Sequence, residues 1–152
     1  MTTKNSPWRL DERRRCRGFV LQMLYQWEVG RENLEQVEQN FWRIQESGTL
    51  ESHRRFAGEL LHGTVASLDR VDPLIVATTE NWRLSRMAVI DRLILRLAVH
   101  EMLDRPETPR PVVINEAIEL ALTYSTEQSA AFINGILDGV KKHMESPTMS
   151  SA

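Results

Sequence analysis

The chain has 152 residues, of which 41% are hydrophobic and 26% are charged, and its formal net charge is −2. This length is sufficient for one domain with a buried core, and no run of about 18 apolar residues is present that could cross a membrane. The N-terminus lacks an apolar secretory signal, and the single cysteine, Cys16, excludes an internal disulfide. We therefore expect a cytoplasmic protein with one domain at 11–145, a flexible N-terminus at 1–10 and a disordered tail at 146–152.

The basic side chains are concentrated at the start of the chain. Residues 1–17 hold six basic and two acidic side chains, a net charge of +4, so the remaining residues together carry −6. Four arginines, Arg13, Arg14, Arg15 and Arg17, lead directly into an apolar stripe with helical spacing. A guanidinium group presents a planar fork of donors that matches phosphate oxygens and stacks on bases. The pattern is compatible with a nucleic-acid contact surface on a rigid helix or with a solvated charged face.

The hydrophobic periodicity predicts an all-α protein of about seven helices. The expected helices are 11–29, 34–46, 51–68, 72–82, 87–103, 112–124 and 128–143. Gly30 is the expected end of the first helix, and Pro73 is placed in the first turn of the fourth because proline is tolerated there. Ser85 is a candidate N-cap of the fifth helix, and Ser125 or Thr126 of the seventh.

The same periodicity predicts which faces are buried. The fifth helix is apolar on nearly all sides, so we expect it to be the central element of the fold. Gly135 lies within helical spacing in the last helix, and we expect it to allow a close approach of two helices. The residues expected on the core face of the first helix are Cys16, Val20, Met23, Leu24 and Trp27, and those on the second are Leu34, Val37, Phe41 and Ile44.

Catalytic and metal-binding patterns are missing from the sequence. The four histidines do not pair at metal-ligand spacing, and neither a glycine-rich phosphate loop nor a nucleophile elbow is present. We therefore expect a protein that is not an enzyme and that uses no cofactor or metal. Polar residues inside the apolar helices are expected to form an internal network joining the fifth, sixth and seventh helices, because a buried charge must be paired. These residues are Arg96, Glu101, Asn115, Glu116 and Asn134.

Four separated segments resemble the NusB family of bacterial transcription antitermination factors. They are Arg13-Arg14-Arg15-Cys16-Arg17 with Leu24-Tyr25-Gln26-Trp27-Glu28, then DRLILRLAVHE at 91–101, VINEAIELA at 113–121 and FINGILD at 132–138. The resemblance covers about residues 13–140 in the order and spacing of the family. It implies an all-helical fold of two small bundles.

The resemblance also implies a function. Members of the family pair with NusE, a small-subunit ribosomal protein, and bind the boxA element of nascent RNA, notably in ribosomal-RNA operons. With the other Nus factors, the pair helps RNA polymerase to read through terminators. The resemblance implies that Asp91 and Arg92 belong to the surface for NusE. The residues that it assigns to single-stranded RNA are Arg13, Arg14, Arg15, Arg17, Tyr25, Gln128 and Phe132.

Several alternatives remain open at this stage. Tyr25 could pack on a neighbouring helix, and Phe132 could belong to the core. Asp91 could interact only with the positive N-terminal end of its own helix dipole. Gln128 departs from some relatives, which carry an acid there. The chain could also be an accessory domain of the kind fused to RNA cytosine methyltransferases, or a helical scaffold that binds only protein. Some members of the family form homodimers, and the sequence does not distinguish a monomer from a dimer.

Overall fold

A computed structural model describes residues 10–45, 49–79 and 83–146. Over these residues the fold is entirely helical, with seven α-helices and one 3-10 turn, which confirms the predicted class. The helices are α1 (Leu10–Gly30), α2 (Leu34–Ile44), α3 (Glu51–Ala66), α4 (Leu68–Thr79), α5 (Val89–Asp104), α6 (Arg110–Tyr124) and α7 (Glu127–Met144), and the 3-10 turn is Leu84–Arg86. Residues 1–9 and 147–152, most of the predicted terminal segments, lie outside the described residues, as do the predicted ends of the second and fourth helices at 46 and 82.

The described chain divides into two compact units, at Met1–His62 and Gly63–Ala152. The first contains α1, α2 and most of α3, and the second contains the remaining helices. A bilayer-spanning helix would need a longer apolar stretch than any helix in the described ranges contains.

The core of the first unit is formed by the predicted face of α1 and by an aromatic cluster. Four of the five predicted α1 residues are buried and Trp27 is half-buried. Phe19 and Phe41 pack edge to face with ring centroids 5.4 Å apart, and Trp42 completes the cluster at 5.1 Å from Phe41. The prediction that Ile44 faces the core is wrong, since 78% of that residue is exposed at the end of α2.

Helix α1 ends one residue later than predicted. Gly30 is the last helical residue, and the left-handed conformation that ends many helices is adopted by Arg31, at φ 55°. Asn33 then caps α2, because its side-chain oxygen accepts a hydrogen bond from the Gln36 amide at 3.2 Å.

The predicted start of the fourth helix at Asp72-Pro73 is wrong. The break falls at Ser67, and α4 begins at Leu68 with Pro73 inside the helix. The Ser67 carbonyl accepts hydrogen bonds from the amides of Arg70 and Val71, so the first turn is already formed before the proline. A proline removes only one helical hydrogen bond, and burial of the neighbouring side chains offsets this cost.

Helix α5 is the central element of the second unit, as predicted. It packs against α4, α6 and α7, and ten of its sixteen residues are buried. The prediction about Gly135 is wrong, because a Cβ added there would meet no atom within 4 Å. The close approaches occur instead at Gly63, which faces the His100 ring, and at Gly139, where a Cβ would lie 2.5 Å from Thr78 Cγ2.

The helix starts in this unit follow the prediction only in part. Ser85 belongs to the 3-10 turn, so its predicted capping role is wrong, and the cap position of α5 is Ala88 without a side-chain hydrogen bond. Thr126 caps α7, as one of the two predicted candidates, and accepts a hydrogen bond from the Ser129 amide at 3.0 Å.

Candidate nucleic-acid interface

The four arginines of α1 do not share one environment. Arg13 and Arg17 lie one helical turn apart, and the guanidinium carbon of each is 5.8 Å from the centre of the Phe56 ring on α3. Arg17 is only 2% exposed. Its spacing from Arg13 places Arg17 on the buried face of α1, where it packs on Phe56, and its contact with RNA stays a prediction.

Arg15 is the exposed member of the group, and Arg14 is half-buried. The guanidinium carbon of Arg15 lies 5.3 Å from the centre of the Phe19 ring, one turn further along α1. Phe19 itself is buried and belongs to the aromatic cluster of the first unit. A cation held over a fixed ring has less conformational freedom to lose when it binds an anion, so the Arg15 guanidinium is partly preorganised to donate hydrogen bonds to an anion.

The other titratable groups near the arginines do not offer a nucleophile. Cys16 is buried, its thiol donates a weak hydrogen bond to the His53 carbonyl at 3.8 Å, and burial raises its pKa to about 11. Cys16 is therefore a neutral thiol in the core, as the sequence predicts.

Two acidic side chains precede the arginines: Asp11 is exposed, and the carboxylate of Glu12 lies 4.0 Å from the His53 ring. Residues 11–17 still carry a net charge of +2.

Tyr25 lies two to three turns further along α1 and is 42% exposed. The side chain is therefore accessible from outside the fold, and its contact with RNA stays a prediction. The ring borders a groove between α1 and α2, which is also lined by Val29, Asn40 and Arg43. Arg43 donates a hydrogen bond to the Asn40 side chain at 2.6 Å, which orders the polar edge of this groove.

In the second unit, Gln128 and Phe132 lie on one face at the start of α7. Gln128 is exposed, and Phe132, one turn later, is half-buried. Phe132 is thus neither a fully buried core residue nor a fully exposed ring. An exposed face of such a ring could stack on an unpaired base.

The two residues assigned to the protein partner make hydrogen bonds within the chain. Asp91 is only 7% exposed, and its carboxylate accepts hydrogen bonds from Ser129 at 2.9 Å and Ser125 at 3.2 Å. Arg92 is half-buried and donates to the carbonyls of Leu84 and Met87 at 3.0 and 3.4 Å. Both side chains therefore bind the turns that flank them, and their assignment to the surface for NusE stays a prediction.

The predicted polar network is corrected in its members. Arg96 donates two hydrogen bonds of 3.0 Å to Asp72 of α4, a residue that was not among the predicted members. Glu101 and Glu116 are buried as expected. The remaining two members, Asn115 and Asn134, are exposed and do not belong to a buried network.

A polar cluster that the sequence did not reveal surrounds His100. Its Nδ1 lies 3.2 Å from both Ser67 Oγ and Asp104 Oδ2. Arg70 donates two hydrogen bonds to Asp104, at 3.0 and 2.8 Å, and this pairing lowers the pKa of the Asp104 carboxyl. Burial lowers the pKa of His100, which favours the neutral form of the imidazole. The residues are up to 37 positions apart, and no local pattern links them.

Other unpredicted residues support the predicted site. Phe19 follows Arg15 by four residues, so helical spacing alone could have paired them. Phe56 lies on a different helix from Arg13 and Arg17, and Ser125 and Ser129 lie on different elements from Asp91. Helical spacing in the sequence therefore could not have paired these residues. Within the described ranges, no group of three or more His, Cys, Asp or Glu side chains could hold a metal ion.

The structure thus defines a small all-α protein with two helical units and a basic first helix supported by aromatic rings. The model of the NusB family matches residues 14–142. The transcription antitermination protein NusB of Koribacter versatilis strain Ellin345 is 41% identical over 133 residues, which cover 88% of this chain and 90% of that protein. This chain belongs to the NusB family.

Solved structures agree with this assignment. The structure of T. maritima NusB has a TM-score of 0.79 and 37% identity, and the match covers 92% of this chain and 97% of that one. A crystal structure of the antitermination factors NusB and NusE in complex with dsRNA has a TM-score of 0.80, with 89% of this chain and 99% of that one covered. The identity is 21% in this second case, so the likeness shows a shared fold.

Proposed function

We propose that this chain is a transcription antitermination factor that pairs with NusE and binds boxA-type single-stranded RNA in nascent ribosomal transcripts. Together with other Nus factors, the pair helps RNA polymerase to read through terminators. The observation that carries the proposal is the exposed Arg15 guanidinium, which a buried aromatic ring holds in place at the start of α1. Family membership and the names of the curated relatives support the same function.

The RNA contacts are divided between the two units. Arg14 and Arg15, with support from the half-buried Arg13, bind backbone phosphates and supply affinity that depends on salt. Tyr25 supplies a ring for base stacking, and sequence preference comes from contacts to unstacked bases. In the second unit, Gln128 contacts RNA with a neutral amide, and a base stacks on the exposed part of the Phe132 ring.

Arg17 has a supporting role in this proposal. It fixes the first turns of α1 against Phe56, so the neighbouring arginines are held by a packed helix. A positively charged group beneath the surface also contributes to the local potential, which attracts a polyanion.

The pairing with NusE rests on the family. The NusB of the structurally similar complex was solved with NusE and dsRNA. In this chain, Arg92 shapes the partner surface by holding the carbonyls of the 3-10 turn. The part played by Asp91 is developed below.

Fluorescence anisotropy with the full chain tests the proposal. The ligands are a boxA-like single strand, a scrambled strand of the same composition and a duplex of the boxA-like sequence, each with and without NusE. We expect the boxA-like single strand to bind most tightly and NusE to tighten its binding further. Equal affinity for the scrambled strand would remove the claim of boxA recognition. Binding of NusE without any RNA binding would favour the protein-only scaffold.

A further inference from the structure

The Asp91 carboxylate joins three helices of the second unit. It extends from the first turn of α5 to the short connection between α6 and α7. Its Oδ1 lies 3.2 Å from Ser125 Oγ and its Oδ2 lies 2.9 Å from Ser129 Oγ. The two serine oxygens are 2.9 Å apart. This buried acid therefore contacts the residues on both sides of the Thr126 cap.

The protons in this cluster have a defined arrangement. The three oxygen–oxygen contacts involve two serine hydroxyl groups, and each hydroxyl has one proton to donate. The two shorter contacts favour a relay, in which Ser125 donates to Ser129 and Ser129 donates to Asp91 Oδ2. The longer contact from Ser125 to Oδ1 is the weaker branch of the same donor. Bonds to a charged acceptor are stronger than neutral ones, so Asp91 anchors the relay.

Two hydrogen bonds of Ser129, one from its amide and one from its hydroxyl, hold the first turn of α7. The Ser129 amide donates to Thr126 Oγ1 at 3.0 Å, while its hydroxyl is bound to Asp91. Gln128 precedes Ser129 directly, and Phe132 follows one turn later on the same helix. The orientation of both side chains thus depends on a turn that is fixed from α5.

We propose that Asp91 is a positioning residue for RNA binding, which acts by holding the first turn of α7 so that Gln128 and Phe132 face the RNA. This inference rests on the proposed function, since it assigns a task to the RNA-facing residues of that proposal. The carboxylate is buried and accepts a hydrogen bond from each serine, and these contacts within the chain are the ones through which it acts on α7.

Hydrogen exchange of the full chain tests the positioning step without RNA. We expect Ser129→Ala and Asp91→Ala to raise the exchange rate of the amides of residues 130–133 about tenfold, with little change in the middle of α5. Asp91→Asn should restore most of the protection, because its amide oxygen accepts from one serine while its NH2 group donates to the other. Ser85→Ala, at an exposed serine in the 3-10 turn, is the matched control. Unchanged exchange at 130–133 in the alanine variants would overturn the inference.

A double-mutant cycle connects this step to RNA. At a temperature where all variants are folded, we expect Ser129→Ala to weaken binding of the boxA-like strand about three- to tenfold, and Asp91→Asn to bind nearly as well as the unaltered chain. In a Phe132→Ala background, the effect of Ser129→Ala should become smaller. A global loss of stability alone would not produce this coupling.

The remaining outcomes separate the inference from the proposed function. Equal loss of RNA affinity in Asp91→Asn and Asp91→Ala, with exchange at 130–133 unchanged, would indicate a direct role of the charge and overturn the inference. Loss of affinity in Phe132→Ala but not in Ser129→Ala would also overturn it, while the proposed function stands. Failure of the unaltered chain to bind RNA would refute the proposed function, and the link from Asp91 to RNA with it.

Discussion

The division among the α1 arginines leads to a quantitative prediction about salt. For single-stranded nucleic acid, each phosphate neutralised contributes about 0.7 to the slope of log affinity against log salt concentration. If Arg14 and Arg15 each contact one phosphate, the double variant Arg14→Gln/Arg15→Gln lowers that slope by about 1.4. Between 50 and 200 mM salt, the unaltered chain should then lose about sevenfold more affinity than the double variant. Anisotropy titrations with the boxA-like strand at several salt concentrations measure this difference.

The companion variant Arg17→Gln has a different expected result. Its guanidinium is buried against Phe56, so we expect a small change in the salt slope and a loss of about 2 kcal/mol in the free energy of unfolding. Arg55→Gln, which removes an exposed positive charge from α3, controls for the change in net charge. A salt slope that falls as much in Arg17→Gln as in Arg15→Gln, with unfolding unaffected, would refute the division of roles.

Further predictions concern stability, each measured by denaturant unfolding of the full chain. The imidazole of His100 is kept neutral by burial, whereas the unfolded chain takes up this proton at about pH 6.5, so the free energy of unfolding should fall as the pH drops below that value. His100→Gln should flatten this dependence, and an unchanged pH profile would contradict the reasoning. Gly63→Ala should destabilise the chain because a Cβ would collide with the His100 ring, whereas Gly135→Ala, in open space, should stabilise it by about 0.5–1 kcal/mol. The reverse order of these two variants would show that the packing at His100 is loose. Arg31→Gly should raise stability by up to about 1 kcal/mol because it relieves a left-handed arginine, and a loss would indicate that the Arg31 side chain has a role of its own.

Local patterns were sufficient to predict much of the fold. The number and order of the helices follow from the spacing of apolar residues, and the burial of α5 follows from its apolar character on nearly all sides. The cap at Thr126 and the buried, neutral Cys16 were also predictable, because each depends on residues within a turn or two. The arginine cluster and its net charge are properties of composition alone.

Only the tertiary packing determines which members of those patterns are buried and which are exposed. Arg15 and Arg17 belong to the same basic run, yet Phe56 on α3 buries one and leaves the other exposed. The sequence offers no sign that serines 34 and 38 residues away donate hydrogen bonds to the Asp91 carboxylate.

The same cause underlies the errors at Pro73 and Gly135. A propensity describes the cost of a residue in an isolated element, whereas the structure minimises a sum that includes burial of distant neighbours. Helix periodicity acts over 3.6 residues and is contained in the sequence. Contacts between separated elements depend on how whole helices pack, and only the tertiary structure specifies them.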